Sequence, residues 1–95
     1  MPSKSFRLSI VTPERILFEG QASYISVPGA GGYMGILADH ASLITPLKAG
    51  IFQFRTAGAV QPMVFKTRHG GLFEVDRNQV SVLLEAADSA VLDPS

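Results

Sequence analysis

Gly29-Ala30-Gly31-Gly32-Tyr33-Met34-Gly35-Ile36-Leu37-Ala38-Asp39-His40-Ala41-Ser42 opens the segment that decides the fold, and Leu43-Ile44-Thr45-Pro46-Leu47-Lys48-Ala49-Gly50 completes it. Four closely spaced glycines stand beside an Asp-His pair, so the segment admits three readings: phosphate loop, catalytic dyad or shaped turn. A dinucleotide loop of the G-x-G-x-x-G type would place its last glycine where Met34 stands, and no Gly-Lys-Ser/Thr follows. Both nucleotide motifs also need a helix immediately after the glycines, which this segment does not offer. The glycines therefore read as a tight turn or a place where another backbone comes close.

The flanking sequence carries strand periodicity throughout. Phe6, Leu8 and Ile10 alternate with Arg7, Ser9 and Val11 until Thr12-Pro13 interrupts the ladder. Ile16 to Glu19, stopped by Gly20, and Tyr24 to Val27, stopped by Pro28-Gly29, read as the second and third strands. Ser42 to Leu47, Ile51 to Thr56 and Met63 to Lys66 follow, with Ala57-Gly58-Ala59 as a hairpin turn. Leu72 to Val75 and Gln79 to Leu84 form a second tight hairpin around Asp76-Arg77-Asn78. No window of the first 84 residues shows an apolar stripe at helical spacing with caps at both ends. The expectation is an all-β fold, an antiparallel β-sandwich or flattened barrel of about 8–10 short strands. It occupies one domain over residues 1–88, with a short tail at 89–95.

Composition narrows the function classes. Eight basic and eight acidic residues cancel without any block of like charge, so nucleic acid is not an expected ligand. No cysteine is present, which permits a reducing compartment and favours the cytosolic side. No continuous apolar region suits a signal peptide or a membrane span, so any membrane connection is expected to run through another protein. The charged fraction, 17%, lies below the roughly 25% usual for soluble domains, which points to a surface that a partner covers. Ile51-Phe52 and Leu72-Phe73 agree, since adjacent apolar residues on a strand face opposite sides. Phe52, Phe54, Phe65 and Phe73 read as a core cluster.

The candidate sites are weak as chemistry. Asp39, His40 and Ser42 include the residue types of a nucleophilic triad, but neighbours on an extended segment point apart and make a poor relay. His40 and His69 are the two imidazoles, 29 positions apart, with no carboxylates converging on them, so no metal and no cofactor is expected. Glu14 and Glu19, on either side of Arg15, suit a solvated surface better than paired acid and base.

Taken together, Gly32-Tyr33-Met34-Gly35-Ile36, Asp39-His40-Ala41-Ser42-Leu43 and Gly50 resemble the G-x-x-G-I, H-A-x-L and K-x-G signature of the epsilon subunit of rotary F-type ATP synthases. His69-Gly70-Gly71-Leu72-Phe73-Glu74-Val75, Asn78 and Val80-Ser81-Val82-Leu83 look like its G-G-x-x-E-V-x-x-N-x-V-x-V-L stretch, and Leu8 to Glu14 is similar to its opening strand. The resemblance runs from residue 6 to about residue 88. It implies a non-catalytic β-sandwich rotor subunit in the foot of the central stalk, linking the gamma shaft to the membrane c-ring and supporting proton- or sodium-coupled ATP synthesis. By position, Tyr33, His40, Ala41 and Ser42 correspond to the c-ring contact, and Thr12 and Thr45 to the gamma contact. Family members often carry an acidic residue where Tyr33 stands, so aromatic packing is the expected replacement. The implied location is the cytoplasmic face of the bacterial inner membrane, or the equivalent organellar face. The family commonly continues into a two-helix hairpin that inhibits hydrolysis, and in some members binds ATP. These residues stop before it, giving the expectation of a connector without that switch. The alternatives are a free-standing β-barrel binding module for a small apolar ligand and a small hydrolase built on Asp39, His40 and Ser42.

Overall fold

A computed structural model describes residues 4–86 and the backbone of Asp93 and Pro94. Its strands are β1 (Phe6–Val11), β2 (Ile16–Gly29), β3 (Gly32–Ile36), β4 (Leu43–Leu47), β5 (Gly50–Thr56), β6 (Met63–Thr67), β7 (Gly71–Asp76), β8 (Gln79–Leu84) and the two-residue β9 (Asp93–Pro94). No helix occurs among the described residues, and the fold is the expected all-β sandwich. The expected tail at 89–95 lies outside the described residues apart from the Asp93–Pro94 backbone, which pairs with β6.

The alternating residues read from the sequence face the core. Phe6, Leu8 and Ile10 of β1, Val80, Val82 and Leu84 of β8, and Phe73 and Val75 of β7 are buried from one layer. Ile25, Val27, Ile36, Phe52, Phe54 and Phe65 meet them from the other. Phe52 and Phe65 stack with ring centroids 4.7 Å apart, and Phe54 meets Phe65 edge-on at 6.4 Å. Each fully buried aromatic of this kind contributes on the order of 2–3 kcal/mol by desolvation. The phenylalanines thus pack against one another in the interior, which favours a core over a barrel holding an apolar ligand.

Two elements differ from the sequence reading. The second and third strands are one continuous strand, β2, whose first half pairs with β1 and whose second half pairs with β3 and β5. Gly20 does not end the strand, because its backbone stays paired with Leu8 and the Phe18 ring covers the space its absent side chain leaves. A register shift between Ala22 and Tyr24 marks where β2 passes from one layer to the other. The glycine cluster, in turn, is a strand as well as a turn: Ala30-Gly31 forms the bend, and Gly32–Ile36 returns along β2 as β3.

Among the described residues all the pairings but one are antiparallel; β1 and β8 run parallel, from Arg7 opposite Gln79 to Val11 opposite Leu83. The ladders β1–β8, β8–β7, β7–β4, the Gly29–Leu47 bridge between β4 and β2, and β2–β1 complete a circuit, so this side of the sandwich has no open edge. The hairpin between β7 and β8 turns on Arg77 (φ 49°) and Asn78 (φ 62°), both left-handed as a two-residue type I′ turn requires.

The pair Gly70-Gly71 marks the tightest backbone approach. A side chain on Gly71 would collide with the Leu83 carbonyl, and one on Gly70 with the Leu47 carbonyl. Gly31, by contrast, has open space around it. Gly71→Ala is therefore expected to lower stability by about 2–4 kcal/mol, while Gly31→Ala stays within about 0.5 kcal/mol, as urea unfolding of the two variants will measure.

Candidate functional site

The loop from Leu37 to Ser42 joins β3 to β4 and carries three of the four residues matched to a ring contact. It is a turn, the alternative that the sequence favoured over a catalytic relay, and Asp39 sits at φ 66°. Its partners lie far along the chain. The Asp39 amide donates to Asn78 Oδ1 at 2.6 Å, and Asn78 Nδ2 donates back to Asp39 Oδ1 at 2.9 Å. Lys4 Nζ donates to the other carboxylate oxygen, Oδ2, at 2.9 Å. The Asn78 carbonyl accepts the Arg7 amide of β1 at 2.9 Å.

The three residue types of the hypothetical triad are engaged elsewhere. His40 donates from Nδ1 to the adjacent Ala41 carbonyl at 2.7 Å, and Ser42 Oγ donates to Asp76 Oδ1 at 3.3 Å. Asp39 holds Lys4 and Asn78, so carboxylate, imidazole and hydroxyl are not in series. Asp39, His40, Ala41 and Ser42 line a shallow open depression together with Arg77 and Asn78, a shape suited to contact and not to enclosing a substrate. Among the described residues no group of three or more His, Asp or Glu side chains could hold a metal ion.

Tyr33 stands apart from this loop, at the opposite end of β3. It pairs with Pro28 across the β2–β3 ladder, and its hydroxyl lies beside Gly50 and accepts the Ile51 amide at 3.1 Å. The residue is nonetheless 62% exposed, so the ring offers a face outward while the hydroxyl is spent inside the chain. A side chain on Gly50 would fall 2.9 Å from that hydroxyl, which ties the glycine and the tyrosine together.

The two threonines matched to a gamma contact also use their hydroxyls internally. Thr12 is buried; its Oγ1 accepts the amides of Glu14 and Arg15 and donates to the Arg15 carbonyl, capping the β1–β2 turn. Thr45 lies opposite Phe73, in step with Leu43 and Leu47, and its Oγ1 donates to the Pro46 carbonyl at 3.3 Å. Glu19 pairs with Arg7 at 3.3 Å on the surface, in keeping with a solvated role.

Another exposed feature is one the sequence only hinted at. Ile16 lies opposite Val11, Val11 opposite Leu83, Leu83 opposite Leu72 and Leu72 opposite Pro46. One apolar row thus crosses the outer surface of five neighbouring strands, with Ile44 exposed one step further along β4. Leu72 and Leu83 each keep about two fifths of their surface in water, at 39% and 40%. The signal was present in Leu72-Phe73, but the row needs the register of all five strands to be seen.

With this geometry in view, the known proteins that match are β-sandwich domains of rotary ATPases. The family model described as "ATP synthase, Delta/Epsilon chain, beta-sandwich domain" matches residues 5–90, so the chain belongs to that family. Curated relatives include the ATP synthase epsilon chain of Pelotomaculum thermopropionicum, 41% identical over 90 residues covering 95% of this chain and 65% of that one. The epsilon chain of Moorella thermoacetica is 38% identical over 84 residues, covering 88% and 61%. The chain thus spans somewhat less than two thirds of the length of these relatives. Among solved structures, a chain of the Euglena gracilis mitochondrial ATP synthase (OSCP/F1/c-ring, rotational state 1) superposes with a TM-score of 0.81 at 20% identity, over 97% of this chain and 55% of that one. A chain of the Tetrahymena thermophila ATP synthase central stalk and c-ring gives 0.67 at 17% identity, over 90% and 67%. At those identities the likeness is one of fold.

The Lys4–Asp39 bond sets a pH dependence. Hydrogen bonds from Lys4 and Asn78, then the Lys4 charge, hold the Asp39 carboxyl below its ordinary 3.8, and Asp39 raises Lys4 above 10.5. A lowered carboxylate stabilises the fold above its unfolded value and loses that effect as pH falls through the folded one; a raised ammonium does so below its unfolded value and loses it as pH rises through the folded one. The loop is therefore expected to be tight from about pH 4 to pH 10 and to loosen at both extremes. Arg77 and Asp76 of the hairpin and His40 are the other charged or titratable groups nearby. Amide exchange at Asp39 across that range will measure it, and a Lys4→Met variant should lose the alkaline step.

Proposed function

We propose that this domain is a non-catalytic rotor element in the central stalk of an F-type ATP synthase, seated between the gamma shaft and the polar loops of the c-ring. It works at the cytoplasmic face of the bacterial inner membrane, or the matching organellar face, touches the membrane only through the complex, and supports ion-coupled ATP synthesis by transmitting rotation. The match of the delta/epsilon family model to residues 5–90 carries this reading. Two structural features support it.

The outer apolar row from Ile16 to Pro46 suits a long protein partner, since a water-facing stripe across five strands is costly unless it is covered. Thr12 follows Val11 and Thr45 precedes Pro46 in sequence, but Thr12 is buried and Thr45 is in step with the inward-facing Leu43 and Leu47, so the two positions assigned to gamma lie behind the row and not on it. In this reading the apolar row carries the contact, and the threonines hold the backbone beneath it from the inner side. The loop of His40, Ala41 and Ser42 and the exposed ring of Tyr33 then face the c-ring from the two ends of β3 and its connection.

Affinity purification of the tagged full chain from its native cells is expected to recover the gamma subunit and the c-ring. Replacing both Leu72 and Leu83 with Glu should leave the melting temperature within a few degrees, because both side chains point outward, yet abolish recovery of gamma. Recovery of the wild-type chain as a lone monomer under gentle conditions would overturn the proposal.

A further inference from the structure

Asn78 belongs to neither the core nor the exposed apolar row, yet three elements meet on it. Its side chain makes a reciprocal pair of hydrogen bonds with Asp39, at 2.6 and 2.9 Å, across 39 positions of sequence. Its carbonyl accepts the Arg7 amide of β1. Its own backbone is the second left-handed residue of the β7–β8 turn. Asp39 is left-handed too, a conformation that costs a non-glycine residue free energy unless its surroundings hold it there.

We infer that Asn78 is the positioning residue for the loop that presents His40, Ala41 and Ser42, an inference that rests on the stalk-subunit reading for what the loop meets. The amide of Asp39 is directed at an oxygen and its carboxylate at a nitrogen. A primary amide alone among short side chains supplies both atoms in one plane, and asparagine also tolerates the left-handed turn. Lys4 clamps the second carboxylate oxygen, so the carboxylate is held from two sides. The Ser42–Asp76 bond ties the far end of the same loop to the same hairpin. The loop is thus fixed to the β7–β8 turn at its middle and at its exit, and that turn is fixed to β1. What decides the loop's orientation is the hairpin opposite it, not the glycines that precede it. Without the clasp the loop is expected to keep its sequence, its exposure and its residues' chemistry but to lose its single orientation, and a partner would have to order it on binding.

Two variants separate this role from a general loss of stability. Asn78→Gly keeps the left-handed turn and the backbone carbonyl while removing the side chain. Asn78→Asp keeps an acceptor for the Asp39 amide but replaces the donor with a second carboxylate facing the first. In the full chain, Asn78→Gly should speed amide exchange at Asp39 about tenfold while exchange at core amides such as Phe73 and Val82 stays as in the wild type. Asn78→Asp should show the same acceleration at neutral pH and recover part of the protection near pH 4 as one carboxylate takes a proton. Reconstitution of an ATP synthase depleted of its epsilon subunit then reads function: wild-type chain restores coupled synthesis, and Asn78→Gly requires about tenfold more chain for half restoration. Unchanged Asp39 exchange in both variants would overturn the positioning role. Equal restoration by wild type and Asn78→Gly would overturn its functional half. Failure of the wild-type chain to restore coupling would instead count against the stalk-subunit reading and leave the clasp judged by exchange alone.

Discussion

Strand β2 is the member on which the rest of the sandwich leans. Its first half is paired with β1, its middle with β5, and its end with β3 and, at Gly29, with β4. One stretch of fourteen residues therefore holds both layers, and the shift between Ala22 and Tyr24 is the corner at which it changes layer. Ala22, Ile25 and Val27 then aim inward beneath the phenylalanine stack. If β2 were two strands joined by a loop, the layers would be tied only through the core and the other connections. As one strand, it makes their relative orientation a matter of backbone hydrogen bonding.

This arrangement explains where the sequence could be read and where it could not. Strands β1 and β4 to β8 have apolar residues at every second position and polar or turn residues at their ends, so the period of two locates them to within a residue or two. The reading fails where glycine stands inside a ladder. Gly20 looked like an end of β2, and Gly32 with Gly35 hid β3, because glycine has no side chain to contribute to the alternation. Three-dimensional neighbours supply what the local pattern lacks: the Phe18 ring lies over Gly20, the Tyr24 ring over Gly35 and the Tyr33 hydroxyl beside Gly50. An aromatic ring covering a strand glycine fills the place of the missing side chain, and this occurs at both Gly20 and Gly35.

The candidate site divides in the same manner. The loop of His40 to Ser42 was legible from its motif, and the greasy second face from Leu72-Phe73. The Asp39–Asn78 clasp was not, since each residue looks locally like an ordinary turn former and only the fold reveals that the two turns face each other. Likewise the apolar row is a property of register: Ile16, Val11, Leu83, Leu72 and Pro46 are scattered in the chain and adjacent across it. Thr12 shows the reverse case, a residue matched to a partner whose hydroxyl is already committed to its own turn.

The parallel pairing of β1 with β8 carries a consequence for how the domain is made. Strand β1 finds this lateral neighbour about seventy positions later in the chain, where Arg7 meets Gln79. Before then β1 has β2 on one side and an open row of backbone donors and acceptors on the other, an invitation to pair with another chain. The circuit closes only when Val80 and Val82 arrive. A truncation within β8 would therefore do more than shorten the domain: it would leave β1 exposed along its inner length and turn a closed sandwich into a template for aggregation.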